Sequence, residues 1–442
     1  MTEWISAAEA AGRLSIKPAT LYAYVSRGVL ERRREPGSRA SMFDAEDIAR
    51  LARKGRPRRA PAGTEVLIES ALTQISGDRP WYRGRDMIGL ARQESFERVA
   101  ELLWSGDLNG GGTDGGRTDG GGTGGSGAGG SGSGVGGGAG RGGAGWRATP
   151  AALAAGSAAR DALPDGTLPL ERLQVIVPAM AATDPLRLHL DPPAVIAAGR
   201  ALIAGMADSL APAGPGDGEP RGRAGAGGAG SVAARLARAL CPGPVPAGLV
   251  AAVQTAMVLV ADHELAPSTF AVRVAASVRA DPYAVVATGL GALGGALHGG
   301  ATLGAELMLR AAAGPGDAPH VVGDLLRRGE RIPGFGHFVY KSGDPRAVLL
   351  IEVVSRHAPR SPRLAVARAV LAEARRRALP EPNIDFGLAM LASVGGLSAG
   401  AGEAIFAVGR TAGWIAHALE EYDRNAPIRP RSVYTGPPAQ AG

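Results

Sequence analysis

Apolar and polar positions fall at helical spacing from the first residues of the chain. Ser6 suits a helix cap, and Ala7–Arg13 predict a first helix behind it. Lys17, Pro18 and Ala19 open a second helix that runs to Arg27, with proline near the start, where a missing N–H costs little, and Gly28 as the stop. On this second helix Leu21, Val25 and Tyr22 share an inward stripe, while Lys17, Thr20, Tyr24 and Arg27 face outward. Leu30–Arg39 reads as a short hairpin, and Phe43 begins another helix. Farther along, the charge-free run Tyr283–Ala305 invites a test as a membrane span, but it is mostly Gly and Ala and His298 interrupts it. It predicts a buried helix pair and no membrane partner.

Between the patterned stretches the periodicity vanishes. Asn109–Gly145 is almost all Gly with Ser, Thr, Ala and Asp, which cannot bury enough apolar surface to offset its ordering entropy, so a disordered loop is expected. Ala213–Gly230 is a second such segment, between a helix ending near Leu210 and one starting near Val232. Expansion of exposed loops, whose closure entropy grows slowly with length, accounts for both. Arg56–Thr64, basic and rich in Pro and Ala, predicts a domain boundary. No phosphate-cradling Gly-x-x-x-x-Gly-Lys-Ser/Thr string occurs.

Composition sharpens the fold class. With 68 glycines and only 4% aromatic residues in 442, the interior must be packed by Ala, Leu and Val, which favours closely packed helices. The expectation is a mainly all-α protein. Cys241 is the single cysteine, so no intrachain disulfide forms, and no basic-then-apolar leader precedes Met-Thr-Glu-Trp, which predicts a cytoplasmic location. No Cys/His spacing suggests zinc.

The net charge of +7 is concentrated at one end, for residues 1–60 hold 13 Lys or Arg against 7 acids, an excess of +6. A basic module whose second helix presents donors can lie in a DNA major groove. This segment resembles the winged helix-turn-helix of the MerR and excisionase group. The resemblance implies double-stranded DNA as a partner, with Lys17, Thr20, Tyr24 and Arg27 on the recognition helix and Arg32, Arg33, Arg34 and Arg39 on a phosphate-touching wing.

Three charged islands stand in the glycine-rich C-terminal half: His298 in Ala-Leu-His-Gly-Gly-Ala, His337 in Gly-Phe-Gly-His-Phe-Val-Tyr-Lys, and Asp385 in Pro-Asn-Ile-Asp-Phe-Gly. Two imidazoles and a carboxylate are the groups needed to take a proton from a carbon acid and deliver one to a carbonyl. A lone histidine beside glycines is usually structural. Here the islands belong to an ordered set with Trp81-Tyr-Arg-Gly-Arg-Asp, Ala261-Asp-His-Glu-Leu, Asp344-Pro-Arg-Ala, Gly409-Arg-Thr-Ala-Gly-Trp-Ile-Ala-His and Arg429-Pro-Arg-Ser-Val-Tyr.

That set resembles the citrate synthase family, citrate and 2-methylcitrate synthases together, from about residue 65 to the end, Gly-rich loops excluded. The resemblance implies an acyltransferase that condenses acetyl-CoA or a short acyl-CoA with oxaloacetate, with acetyl-CoA as co-substrate and no other cofactor or metal. Asp385 would be the base, His298 the donor to the thioester oxygen and His337 the donor to the ketone. Arg346, Arg410 and His263 would bind the ketoacid, joined by Arg429 from the partner of a homodimer, and Lys341 would face the CoA phosphates. His189, His320, His357 and His417 lack motif support and are expected to be structural.

The implied organisation is a winged helix-turn-helix over 1–58, a large helical domain over 59–108, 146–295 and 393–442, interrupted at 109–145 and 213–230, and a small domain over 296–392. Three departures from the family pattern stand out: Phe338 after His337, Thr302-Leu303 after the His298 motif, and Ala266-Pro267 after His263. They leave open an alternative, a DNA-binding regulator whose synthase-like body senses a ketoacid or acyl-CoA.

Overall fold

The computed structural model describes residues 4–14, 21, 30, 32–34, 41–48, 68–108, 145–211 and 230–436. The chain divides into two compact units, Met1–Glu69 and Ser70–Gly442.

In the first unit, β1 (Trp4–Ser6), β2 (Arg33–Arg34) and β3 (Ser41–Asp44) form an antiparallel sheet in the order β1-β3-β2. Helix α1 (Ala7–Arg13) starts where Ser6 caps it, the hydroxyl accepting the Glu9 N–H at 3.2 Å. Ile5, Ala10, Leu21, Leu30, Phe43 and Ile48 make its small core. The helix expected from Phe43 begins two residues later, because Phe43 is a buried strand residue paired with Ile5. Asp44 then accepts the Glu46 N–H at 2.8 Å and residues 45–48 turn helical. Lys17, Thr20, Tyr24, Arg27 and Arg39 lie outside the described residues. Arg34 is in β2; Arg32 and Arg33 are exposed, with the Arg33 guanidinium 5.7 Å from the centre of the Trp4 ring.

The second unit opens with a meander that sequence periodicity did not announce, β4 (Thr73–Ser76), β5 (Arg79–Tyr82) and β6 (Arg85–Asp86). Its two tight turns, Gly77-Asp78 and Arg83-Gly84, have positive φ at both central residues, as hairpins twisted in the right sense require.

Helices follow throughout. They are α2 (Met87–Gln93), α3 (Phe96–Ser105), α4 (Pro150–Asp161), α5 (Pro169–Ala181), α6 (Pro192–Ser209), α7 (Val232–Leu240) and α8 (Ala247–Val260). After them come α9 (Pro267–Ser277), α10 (Pro282–Leu293), α11 (Gly300–Ala311), α12 (Ala318–Arg327), α13 (Pro345–His357), α14 (Pro362–Arg376), α15 (Ile384–Val394) and α16 (Ala401–Arg424). The mainly helical expectation holds. Helices α6 and α7 end and begin where expected, and Tyr283–Ala305 is a pair of helices with His298 in the turn between them. No described helix is long and apolar enough to cross a membrane.

Helix α16 is the axis of the core. Every residue from Ala401 to Ala418 is buried, as for a helix surrounded by others. Small residues permit this: a Cβ on Gly413 would lie 2.3 Å from the carbonyl oxygen of Ala261, whose backbone accepts the Gly413 N–H at 2.9 Å. That contact ties the middle of α16 to the end of α8.

Candidate active site

Asp385 stands in the first turn of α15. The cap of that helix is Asn383, whose side-chain oxygen accepts the N–H groups of Asp385 (3.0 Å) and Phe386 (3.4 Å), so the Asp385 carboxylate is not spent on capping. Thr302 of α11 donates its hydroxyl to Asp385 Oδ1 at 2.6 Å. Burial raises the carboxyl pKa to about 6 despite that hydrogen bond. Such a group is ionised at neutral pH and still basic enough to take a proton from carbon.

His298 sits in the α10–α11 turn with its Nε2 2.8 Å from the hydroxyl of fully buried Ser268. Burial, then the charge of Arg410, lowers its pKa to about 4. The ring is therefore neutral, and the tautomer whose Nε2 accepts the Ser268 hydroxyl carries its proton on Nδ1, where it can serve an oxygen acceptor. The Phe406 ring meets it edge-on with centroids 6.2 Å apart.

His337, His263, Tyr340 and Arg346 form one cluster. His337 Nδ1 accepts the backbone N–H groups of Val339 (3.0 Å) and Tyr340 (3.2 Å), which fixes the ring proton on Nε2. Arg346 Nη2 lies 3.2 Å from that Nε2. Both are then donors, and an oxygen acceptor lying between them would satisfy both. Arg346 is buried and held by Asp344 through two contacts of 2.9 Å, and Asp344 also accepts the Ile384 N–H at 2.9 Å. One carboxylate thus pins the start of α13 to the start of α15. His263 Nε2 is 3.0 Å from the Tyr340 hydroxyl, and its ring is 5.4 Å from that of His337. Burial, followed by the charge of Arg346, lowers His337 to about 4, while burial with Arg346 and Arg410 holds His263 well below the usual imidazole range. Tyr340 is pushed up to about 12 by burial.

Arg410, on α16, is 1% exposed. Its Nε donates to the Val260 carbonyl at 2.6 Å, its guanidinium carbon lies 4.7 Å from the centre of the Phe406 ring, and its Nη1 is buried with no partner. Burial lowers its pKa to about 10, which still leaves it charged. A buried guanidinium with N–H bonds to spare is a receptor for a carboxylate.

Two expected residues stand apart. Arg429 is exposed in the segment after α16, and Lys341 is exposed with its Nζ donating to the Phe338 carbonyl at 2.6 Å. The loop bearing Lys341 is held by Asp78, which accepts the N–H groups of Lys341 (3.1 Å) and Ser342 (2.9 Å).

Sequence reasoning missed Ser268, Thr302, Tyr340 and Asp344 as site groups. Asp344 was signalled by the Asp-Pro-Arg spacing; a hydroxyl such as Ser268 gives no signal. Behind His263, fully buried Asp262 accepts from the Thr73 hydroxyl and lies 3.1 Å from His417 Nε2, whose Nδ1 is 2.7 Å from Arg273. Burial opposes ionisation of Asp262, but His417 and Arg410 outweigh it and hold the carboxyl below its ordinary value. This chain anchors the turn that presents His263. Among the described residues no three His, Cys, Asp or Glu side chains gather as a metal site would require.

Fold and site together define a helical protein with one basic carboxylate and three neutral imidazoles around two buried arginines. The family model for the citrate synthase C-terminal domain matches residues 148–431. This chain belongs to the citrate synthase family. It is 40% identical over 206 residues to citrate synthase 2 of Bacillus subtilis, covering 45% of this chain and 54% of that one. To 2-methylcitrate synthase of Mycobacterium tuberculosis it is 35% identical over 201 residues, 45% of this chain and 51% of that one. The chain thus spans about half the length of the curated relatives it matches. In fold it is similar to the Thermoplasma acidophilum citrate synthase in ternary complex with carboxymethyl coenzyme A and oxaloacetate, with TM-score 0.64, 22% identity, and 85% of this chain and 96% of that one covered. The Pyrobaculum aerophilum citrate synthase gives TM-score 0.62 at 24% identity, covering 85% and 92%.

Proposed function

We propose that this protein condenses acetyl-CoA, or a short acyl-CoA, with oxaloacetate and releases the tricarboxylate and CoA. The observation that carries the reading is the pairing of Asp385, a carboxylate raised to about 6, with imidazoles of His298 and His337 lowered to about 4. Carbon acids need a base of this kind, and their enolates need donors that are not themselves acids at neutral pH.

In this mechanism Asp385 takes a proton from the carbon next to the thioester while His298 Nδ1–H donates to the thioester oxygen. The enol carbon then attacks the ketone of oxaloacetate, whose oxygen receives a hydrogen bond from His337 Nε2–H as it becomes an alkoxide. Arg410 and Arg346 hold the carboxylates of the ketoacid beside His263. Water cleaves the thioester and CoA leaves, which draws the condensation forward. The chemistry uses acyl-CoA as co-substrate and calls for no metal or other cofactor.

Four further features belong to this proposal. Residues 296–392 would form a small domain that closes over the substrates. A homodimer would bring Arg429 of the partner subunit to the ketoacid, which accords with the exposure of Arg429 in the single chain. Lys341, exposed beside the His337 loop, would meet CoA phosphates. The N-terminal unit would bind double-stranded DNA through Lys17, Thr20, Tyr24 and Arg27 together with Arg32, Arg33, Arg34 and Arg39. Exposed arginine on β2 accords with that role, and a steep loss of DNA affinity with rising salt would be its signature.

The test follows free CoA with oxaloacetate and acetyl-CoA, then propionyl-CoA. Turnover that disappears in His298→Ala supports the proposal and ranks the acyl groups. Undiminished release in His298→Ala, or none from folded wild-type protein, overturns it.

A further inference from the structure

A second charged recess lies away from the imidazole cluster, where α2 and α8 face the last turn of α13. It is an open recess of about 420 Å³. Arg92 of α2 and Arg356 and His357 of α13 line it, with Gly248 and Thr255 of α8 as its opposite wall.

Several features make this a built site. His357 packs closely against the start of α8, where a Cβ on Gly248 would clash with its Nδ1. That helix start has Pro246 as its cap residue, with no side chain to accept the first N–H groups. Thr255 is 8% exposed and lines the recess. Among the described residues Glu352 is the acid in contact with both arginines, 3.0 Å from Arg92 Nη2 and 3.2 Å from Arg356 Nη2. It occupies one N–H group of each guanidinium and leaves the rest of each fork available.

From this geometry we propose that the recess binds a small multivalent oxyanion, a phosphate ester or polycarboxylate. Its charged end would meet Arg92, Arg356 and the start of α8, and an acceptor oxygen would reach the Thr255 hydroxyl about 10 Å along the helix. Such a ligand would bridge α2 and α8 to α13, the helix that carries Arg346 at its other end. The inference is independent of the proposed reaction, because it concerns binding alone.

Isothermal titration of the full chain with inorganic pyrophosphate tests it, with saturating CoA present to block a phosphate site near Lys341. Near-stoichiometric binding is expected, weakened at least about tenfold in Arg356→Gln and measurably in Thr255→Val, in line with the loss of charged and neutral hydrogen bonds. Arg356 is exposed, so its replacement leaves the fold intact, and a thermal melt checks Thr255→Val. Absence of binding by wild type at millimolar pyrophosphate overturns the proposal. Binding that ignores either substitution does so too, since it would report diffuse surface charge.

Discussion

Thr302 Oγ1 and Asp385 Oδ1 are 2.6 Å apart, and this is the one side-chain hydrogen bond the carboxylate accepts among the described residues. The donor stabilises the ionised form and so opposes the burial that raises Asp385 to about 6. Thr302→Val keeps the shape and removes the donor. The acid limb of the pH profile of kcat/KM should move upward by about one unit, the worth of a hydrogen bond to a charged group. Activity at pH 6.5 then falls several-fold while activity at pH 8.5 barely changes. An unmoved limb would remove Thr302 from the site.

Asp385→Asn separates catalysis from stability. The folded pKa of about 6 lies above the ordinary 3.8, so the group favours folding below pH 4, and that contribution is lost as pH rises through 6. At pH 8 the ionised carboxylate costs up to about 3 kcal/mol relative to a neutral amide. The variant should therefore melt higher than wild type at pH 8, match it near pH 4, and lose turnover by at least about a hundredfold. Equal melting temperatures at pH 8 would contradict the burial argument.

Arg410 has a bond to Val260 and an unmatched Nη1. Lysine keeps the charge but cannot serve the carbonyl and a carboxylate together. Arg410→Lys should raise KM for oxaloacetate by roughly 10- to 100-fold, the worth of one charge-assisted hydrogen bond, with a smaller change in kcat. A change in kcat alone would argue against ketoacid binding.

His298 and His337 are both lowered to about 4, by burial first and by arginine charge second. Their ring resonances, assigned by substitution, should show no titration between pH 5.5 and 8.5 in an NMR series. A midpoint near 6.5 for either ring would show that it carries a proton at work.

Gly413→Ala would place a methyl 2.3 Å from the Ala261 carbonyl, a backbone atom that cannot swing aside. We expect a loss of at least about 2 kcal/mol in thermal or urea melts. Because Ala261 precedes Asp262 and His263, KM for the ketoacid should rise as well.

Much of this was readable beforehand and some was not. The helical class followed from the shortage of aromatics, and the α1 cap followed from Ser6. The ordered motifs singled out Asp385, His298, His337, Arg346 and Arg410 by residue type in a fixed order, and the structure buries or half-buries all five. The β4–β6 meander escaped notice because its strands are only two to four residues long and its turns are built from Gly77-Asp78 and Arg83-Gly84. Phe43 was read as a helix start because a single large apolar residue fits either period. The roles of Ser268 and Thr302 depend on contacts from distant helices, and no local pattern encodes those.

Helix α16 passes Phe406 beneath His298, Arg410 toward the cluster of His263 and His337, Gly413 against the Ala261 carbonyl and His417 behind Asp262, all from one uninterrupted rod. These elements cannot be adjusted separately. Loss or gain of one residue between Phe406 and His417 would rotate the remainder of the helix by about 100° and misplace several contacts in a single step. Variation along this helix is therefore confined to exchange of side chains at constant length.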